Sequence, residues 1–186
     1  MTLNGPATIL IFILASFGLF LQIFVSSDYN SLMAVHGNFF ARIDEVSYWV
    51  SAVGHIFAHA NYDHFMGNML YLLLLGPQIE QRIGFKNFVY AVLATTIATS
   101  IAQGLFPGTA LLGASGVVFM CITMSSLTAN SCEKISISFV LVAALYLGKE
   151  IYNAFSPDNV SQLGHLVGGI VGIAFGYYYK VTGQVK

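Results

Sequence analysis

Ser115 stands in Gly113-Ala114-Ser115-Gly116, directly ahead of an apolar run from Val117 to Met124, and His165 stands far downstream in Gly164-His165-Leu166-Val167-Gly168. A serine hydroxyl is a weak nucleophile until a base takes its proton, and an imidazole can both take that proton and return it. Both residues lie in stretches apolar enough for a bilayer, where polar side chains are costly and by default functional. The pairing predicts peptide hydrolysis inside a membrane. A serine at a helix start also has unpaired backbone NH groups beside it, suited to the negative oxygen of a tetrahedral intermediate. Taken alone, the Gly-Ala-Ser-Gly turn reads first as small-residue packing or an N-cap. His165 shifts that reading towards a Ser-His dyad.

Other residues converge on the same chemistry. Gly164, Gly168, Gly172 and Gly176 recur every four residues and form a flat stripe that permits close helix approach beside His165. His64, Asn68 and Tyr71 share one face of a second apolar helix. An asparagine at that depth must bond something, either a neighbouring helix or an oxyanion. His55 and His59, four apart, raise a metal site, but no His-Glu-x-x-His is present and Asp63 and Glu80 are poorly placed to complete a shell. No metal and no other cofactor is expected.

The elements that must position these groups follow from composition. The chain of 186 residues is 56% hydrophobic and only 8% charged, against roughly a quarter charged in soluble domains. It reads as an all-α polytopic membrane protein in contact with the lipid bilayer. Its net charge of -1 gives no reason to expect nucleic acid as a partner. Cys121, inside an apolar run, and Cys132, just after it, suit a packed thiol and a loop thiol better than a disulfide.

About six apolar segments are expected, near 6-26, 61-77, 86-106, 115-131, 135-155 and 160-180. The first is too long for a signal h-region and has no basic residue ahead of it, so it reads as an uncleaved span. Arg82, Lys86, Lys134, Lys180 and Lys186 fall on one side of this arrangement, and Arg42 and Lys149 on the other. Both termini are therefore expected in the cytoplasm, with Ser115 opening to the outer face. Tyr177, Tyr178 and Tyr179 beside Lys180 read as an interfacial belt. The long first loop places Phe39, Phe40, Ile43 and Val50 at helix spacing. That pattern fits either a membrane-associated segment in the outer interface or a helix packed on the protein itself. Nothing divides residues 1-186 into more than one domain.

His59-Ala60-Asn61-Tyr62-Asp63-His64-Phe65-Met66-Gly67-Asn68, the Ser115 turn and the His165 motif, in that order, resemble the rhomboid family of intramembrane serine proteases. The resemblance covers nearly the whole chain and implies a bundle of six transmembrane helices. It implies Ser115 as nucleophile and His165 as base without an aspartate, and an oxyanion hole of His64, Asn68 and the Ser115 NH. Phe119 corresponds to an aromatic that stacks on the catalytic imidazole, with Gly113, Gly116, His59 and Gly168 in support. Glu80 and Arg82 correspond to a structural polar cluster. Substrates would be single-span transmembrane proteins, in a bacterial inner membrane. The sequence departs from the family at Val50-Ser51, where many members carry Trp-Arg, and at Met120, where a smaller residue would favour the closest packing. The main rival is a rhomboid-like protein that binds membrane clients without cutting them, and retention of both Ser115 and His165 argues against it. A small transporter would call for inverted halves or intramembrane acids, and neither is evident.

Overall fold

The computed structural model describes residues 5-106, 110-128, 141, 145 and 162-185. The expected span at 135-155 lies, apart from Leu141 and Leu145, outside the described residues, as do Lys134, Lys149 and Cys132. What is described is all-α, with one isolated antiparallel bridge between Val35 and Leu111. In chain order the helices are α1 (Pro6–Phe24), α2 (Tyr29–Met33), α3 (Phe39–Arg42), α4 (Val46–Gly54) with a 3-10 turn at His55–Phe57, α5 (Tyr62–Ile83), α6 (Phe85–Leu105), α7 (Ser115–Thr128) and α8 (Gln162–Val181).

α7 sits at the centre because it has no polar stripe to turn outward. Ser115 through Ile122 are all buried, and so are Met124 and Thr128. A helix apolar on every side belongs in the interior of a bundle, and α5, α6 and α8 pack around it. Those helices and α1 instead direct apolar residues away from the protein, among them Phe17 and Phe20 on α1, Leu74 on α5, Leu93 on α6 and Ile170 on α8. Apolar faces of that extent are suited to hydrocarbon.

α1 and α6 are each long and apolar enough to cross a membrane. α5 and α8 are of similar length; α5 carries His64, Asn68 and Glu80, and α8 carries His165 and the glycine stripe. The described part of α7, 14 residues, extends about 21 Å from Ser115 into a roughly 30 Å core. α5 runs on to Ile83, past the expected end near residue 77, although Pro77 lies inside it. Four hydrogen bonds reward that extension. The buried Glu80 carboxylate accepts the Ala7 and Thr8 backbone NH groups at 3.0 and 3.1 Å and the Thr8 hydroxyl at 3.1 Å. Arg82 Nη1 donates to the Ser125 carbonyl at 3.4 Å. One end of α5 thus places an anion at the start of α1, matching that helix dipole, and a guanidinium on the Ser125 carbonyl of α7.

The expected amphipathic stretch forms two short helices, α3 and α4. Phe40, Val46 and Val50 are exposed, whereas Tyr48 is fully buried and donates its hydroxyl to the Ser100 carbonyl of α6 at 2.9 Å. The segment packs on the protein by one face and leaves the other apolar and free. Trp49, one place before the family's usual position, donates Nε1 to the Ile43 carbonyl at 2.8 Å. Of the three tyrosines at the end of α8, Tyr177 and Tyr178 are exposed, but Tyr179 turns inward and bonds the Asn87 carbonyl at 3.2 Å.

Candidate active site

The turn before Ser115 is held from the first loop. Val35 and Leu111 exchange both backbone hydrogen bonds, at 3.0 and 2.9 Å. Gly113 then adopts φ +101°, a conformation that side chains with a Cβ rarely take, and donates its NH to the His55 carbonyl at 2.9 Å. The Ala114 NH approaches His59 Nε2 at 3.5 Å. Ser115 emerges as the first residue of α7 and is only 6% exposed.

His55 and His59 are therefore a brace for this turn. The His55 ring Nδ1 lies 3.3 and 3.2 Å from the Ser51 and Ala52 carbonyls and 3.4 Å from Ser100 Oγ, which itself donates to Ala52 at 3.0 Å. Burial pushes its imidazole down to about 4. The carbonyl of His59 accepts Asn30 Nδ2 at 2.9 Å. Burial, with smaller contributions from the neighbouring His64 and His55, pushes the His59 ring down to about 3. Both rings are held neutral, and their partners are backbone and hydroxyl groups.

His64 and Asn68 reach the same turn from α5. Asn61 caps that helix by accepting the His64 NH at 2.8 Å, which sets the start of the helix and the direction of its first side chains. The Ala60 NH points at His64 Nδ1 at 3.4 Å, so the neutral ring carries its proton on Nε2. A methyl group on Gly113 would lie 2.7 Å from that Nε2 and 3.2 Å from Asn68 Nδ2. Both nitrogens therefore border the residue two places before Ser115. Asn68 is 2% exposed, and its Nδ2 is a buried donor with no hydrogen-bond partner among the described residues. Tyr71 stands one turn further along the same face, half-buried.

His165 arrives on α8. Its ring lies parallel to that of Phe119, with centroids 4.6 Å apart and planes 16° from coplanar. Phe119 is one turn after Ser115 on the same face of α7, so the imidazole occupies the serine's side of that helix. His165 is 5% exposed. The glycine stripe makes this approach possible. A Cβ on Gly168 would collide with the Gly116 carbonyl, and one on Gly172 with the Met120 carbonyl and the Thr123 hydroxyl. Met120 does not loosen the packing as its size suggests, because its backbone makes the contact and α8 offers only hydrogen atoms opposite. Thr123 Oγ1 also donates to the Gly169 carbonyl at 3.0 Å.

Ser115 and His64 border a cavity of about 310 Å³ at the first-loop end of the molecule. The arrangement offers a buried hydroxyl at a helix start, an imidazole on its side of the helix, and donors aimed at the adjoining turn. Such a set is suited to acyl transfer.

Comparison with known proteins places the chain in a family. The rhomboid domain family matches residues 46–181. Rhomboid-like protein 11, chloroplastic, of Arabidopsis thaliana is 28% identical over 141 residues, covering 67% of this chain and 50% of that protein. Rhomboid-related protein 2 of Mus musculus is 31% identical over 139 residues, 67% of this chain and 46% of its own length. The rhomboid protease GlpG of Yersinia pestis (strain Pestoides F) is 25% identical over 134 residues, 70% and 47%. The chain belongs to the rhomboid family, an integral membrane family that includes serine proteases. It spans half or less of the length of these relatives.

Sequence reasoning missed the bracing residues. Tyr48, Ser100 and the Val35–Leu111 bridge hold the first loop against α6 and the serine turn, and no spacing rule joins residues so far apart. The His55–His59 pair was the available signal, and it points to a metal before it points to a brace.

Proposed function

We propose that the chain is an intramembrane serine endopeptidase that cleaves peptide bonds in or next to transmembrane segments of single-span membrane proteins. Ser115 Oγ attacks the carbonyl carbon of the scissile bond while His165 takes its proton. The oxygen that becomes negative is met by the Ser115 NH, His64 Nε2–H and Asn68 Nδ2. Collapse of the tetrahedral intermediate breaks the C–N bond, and His165 passes its proton to the departing amine. Water from the cavity then adds to the acyl-serine with His165 as base, releasing the acid and restoring the hydroxyl. Phe119 keeps the imidazole plane parallel to its own ring, and Gly113, Gly116 and Gly168 allow the close approaches that bring the groups together. His59 supports the turn through Ala114.

The observation that carries this reading is the buried Asn68 amide nitrogen, left without a partner among the described residues and next to the turn of a buried serine. Buried donors are nearly always satisfied, and an exception in a resting site suits a group that bonds only when charge develops. We place the cavity on the outer face of a bacterial inner membrane with both termini in the cytoplasm. The basic residues Arg82, Lys86 and Lys180 support that orientation, since they cluster at the end opposite the cavity.

The test is incubation of purified protein with single-span reporter substrates and a fluorophosphonate probe. The parent protein is expected to cleave and to be labelled. Ser115→Ala should lose both, and His165→Ala should lose turnover, with melting temperatures close to the parent's. Sustained turnover by Ser115→Ala would remove it as the nucleophile.

A further inference from the structure

One peptide group joins the first loop to the oxyanion side of the site. The carbonyl of His59 accepts Asn30 Nδ2 at 2.9 Å, and the NH of that same peptide unit, carried by Ala60, points at His64 Nδ1 at 3.4 Å. A peptide unit is planar, and in its trans form the C=O and N–H point in opposite directions. A donor that holds the carbonyl on one side therefore aims the NH on the other. Among the described residues, Asn30 is the only hydrogen-bond partner of that carbonyl. The two bonds form a chain that ends on an imidazole whose far nitrogen, Nε2, lies beside Gly113. Asn30 and His64 both border the Ser115 cavity.

The anchor is firm and the link it controls is weak. Asn30 lies in α2, where its own carbonyl accepts the Ala34 NH at 2.8 Å, and the next residue, Val35, is paired with Leu111. Its neighbour Tyr29 packs its hydroxyl against α1, where a Cβ on Gly18 would meet it at 2.8 Å. The bond from the Ala60 NH to His64 is longer than the roughly 2.7-3.2 Å of a good N–H donor, so its strength depends on how well the NH is aimed. Donation to the carbonyl also polarises the NH, but by only about 10-30% of a bond. Aim is the larger effect. The orientation of the amide is fixed, because a carbonyl can only accept. Nδ2 must face His59, which leaves Oδ1 buried without a partner among the described residues. An unpaired buried acceptor is a cost to the resting fold that a leucine of similar size would avoid. Stability alone does not account for an asparagine here. We propose that Asn30 is a positioning residue that, through the His59–Ala60 peptide, keeps the Ala60 NH on His64 Nδ1 and so holds Nε2–H towards the oxyanion. This rests on the protease reading above.

The test uses the purified full chain in liposomes and a single-span reporter substrate, with kcat expressed per active site titrated by the fluorophosphonate probe so that a folding defect does not enter it. Asn30→Leu should lower kcat by roughly 3- to 10-fold, the scale of one neutral hydrogen bond, with KM little changed and the melting temperature close to the parent's. Asn30→Asp should lose at least as much, because an ionised carboxylate cannot donate and repels the carbonyl. The loss should vanish where His64 is absent. Added to His64→Ala, Asn30→Leu should change kcat by less than about twofold, whereas a merely structural role would cost the same factor in both backgrounds. The second readout is nitrogen NMR of isotope-labelled histidine without substrate, with the His64 signals identified by their loss in His64→Gln. At a pH above about 8, where imidazoles are neutral, the Nδ1 resonance of His64 should move in Asn30→Leu towards that of an unbonded lone pair. No loss of kcat in Asn30→Leu, an equal loss in both backgrounds, or an unmoved Nδ1 resonance overturns the proposal while leaving proteolysis intact. If the parent cleaves nothing but the resonance still depends on Asn30, the protease reading fails and the link from Asn30 to His64 stands.

Discussion

Asn68 is the residue at which chemistry and structure make opposite demands. Its amide nitrogen is buried and has no partner among the described residues, so replacing it removes little that holds the resting protein together. Asn68→Ala is expected to lower kcat by roughly 10- to 1,000-fold with KM little changed, because a bond to the oxyanion strengthens only in the transition state. The lower part of that range allows for compensation by His64 and the Ser115 NH. If Asn68 were interhelical glue, the same variant would lose about 0.6-2 kcal/mol of stability and retain kcat, and measuring both on one preparation decides between them. The bracing histidines give a pH prediction. Burial lowers His55 from 6.5 to about 4 and His59 from 6.5 to about 3. Their folded values lie below the unfolded ones, so the opened chain binds more protons as the pH falls below 6.5. Stability that is complete above that pH should therefore decline towards pH 4, by up to about 1.4 kcal/mol per pH unit for each histidine. A melting temperature that stayed flat from pH 7 to pH 4.5 would show that neither ring is held neutral.

At the scale of elements, the contact between α7 and α8 carries the site. The stripe of Gly164, Gly168, Gly172 and Gly176 was legible from its period alone, and all four glycines are buried in that contact. The role of Met120 was not legible, because side-chain volume says nothing about which part of a residue meets the neighbour. Gly169 offers an internal control. A Cβ there would come no closer than 3.7 Å to Thr123, an ordinary contact, whereas one on Gly168 would overlap the Gly116 carbonyl. Gly168→Ala is expected to force α8 away from α7 and reduce turnover at least tenfold. Gly169→Ala should stay within about twofold of the parent and gain slightly in stability from the helix propensity of alanine. Equal activity in the two variants, measured with matched expression, would show that His165 does not depend on this groove. α5 shows the reverse relation between period and length. Its polar residues obscured its true end at Ile83, and only the bonds of Glu80 to α1 and of Arg82 to Ser125 explain why it continues.

For the molecule as a whole, Gly5, Lys86 and Gln184 lie at one end of the bundle, and Asp28, the first loop and the Ser115 cavity at the other. Membrane-impermeant thiol labelling from outside should reach a cysteine placed at Asp28 and miss one placed at Lys86, both of which are exposed. Labelling at Lys86 alone would reverse the orientation. By itself the sequence determined the all-helical class, the positions of α1 and α6 to within a few residues, the start of α7, the glycine stripe and the order of the three motifs. These depend on local pattern, in which apolar runs, small-residue periods and breaks at Pro and Gly act within one or two helical turns. Tertiary structure alone decided that α7 is the central helix and that Tyr179 turns inward. It also decided that His55 and His59 brace the serine turn, and that Val35 pairs with Leu111. Those outcomes depend on which surfaces meet across tens of residues of intervening chain, and burial and backbone pairing at such contacts are settled by the packing of the whole bundle.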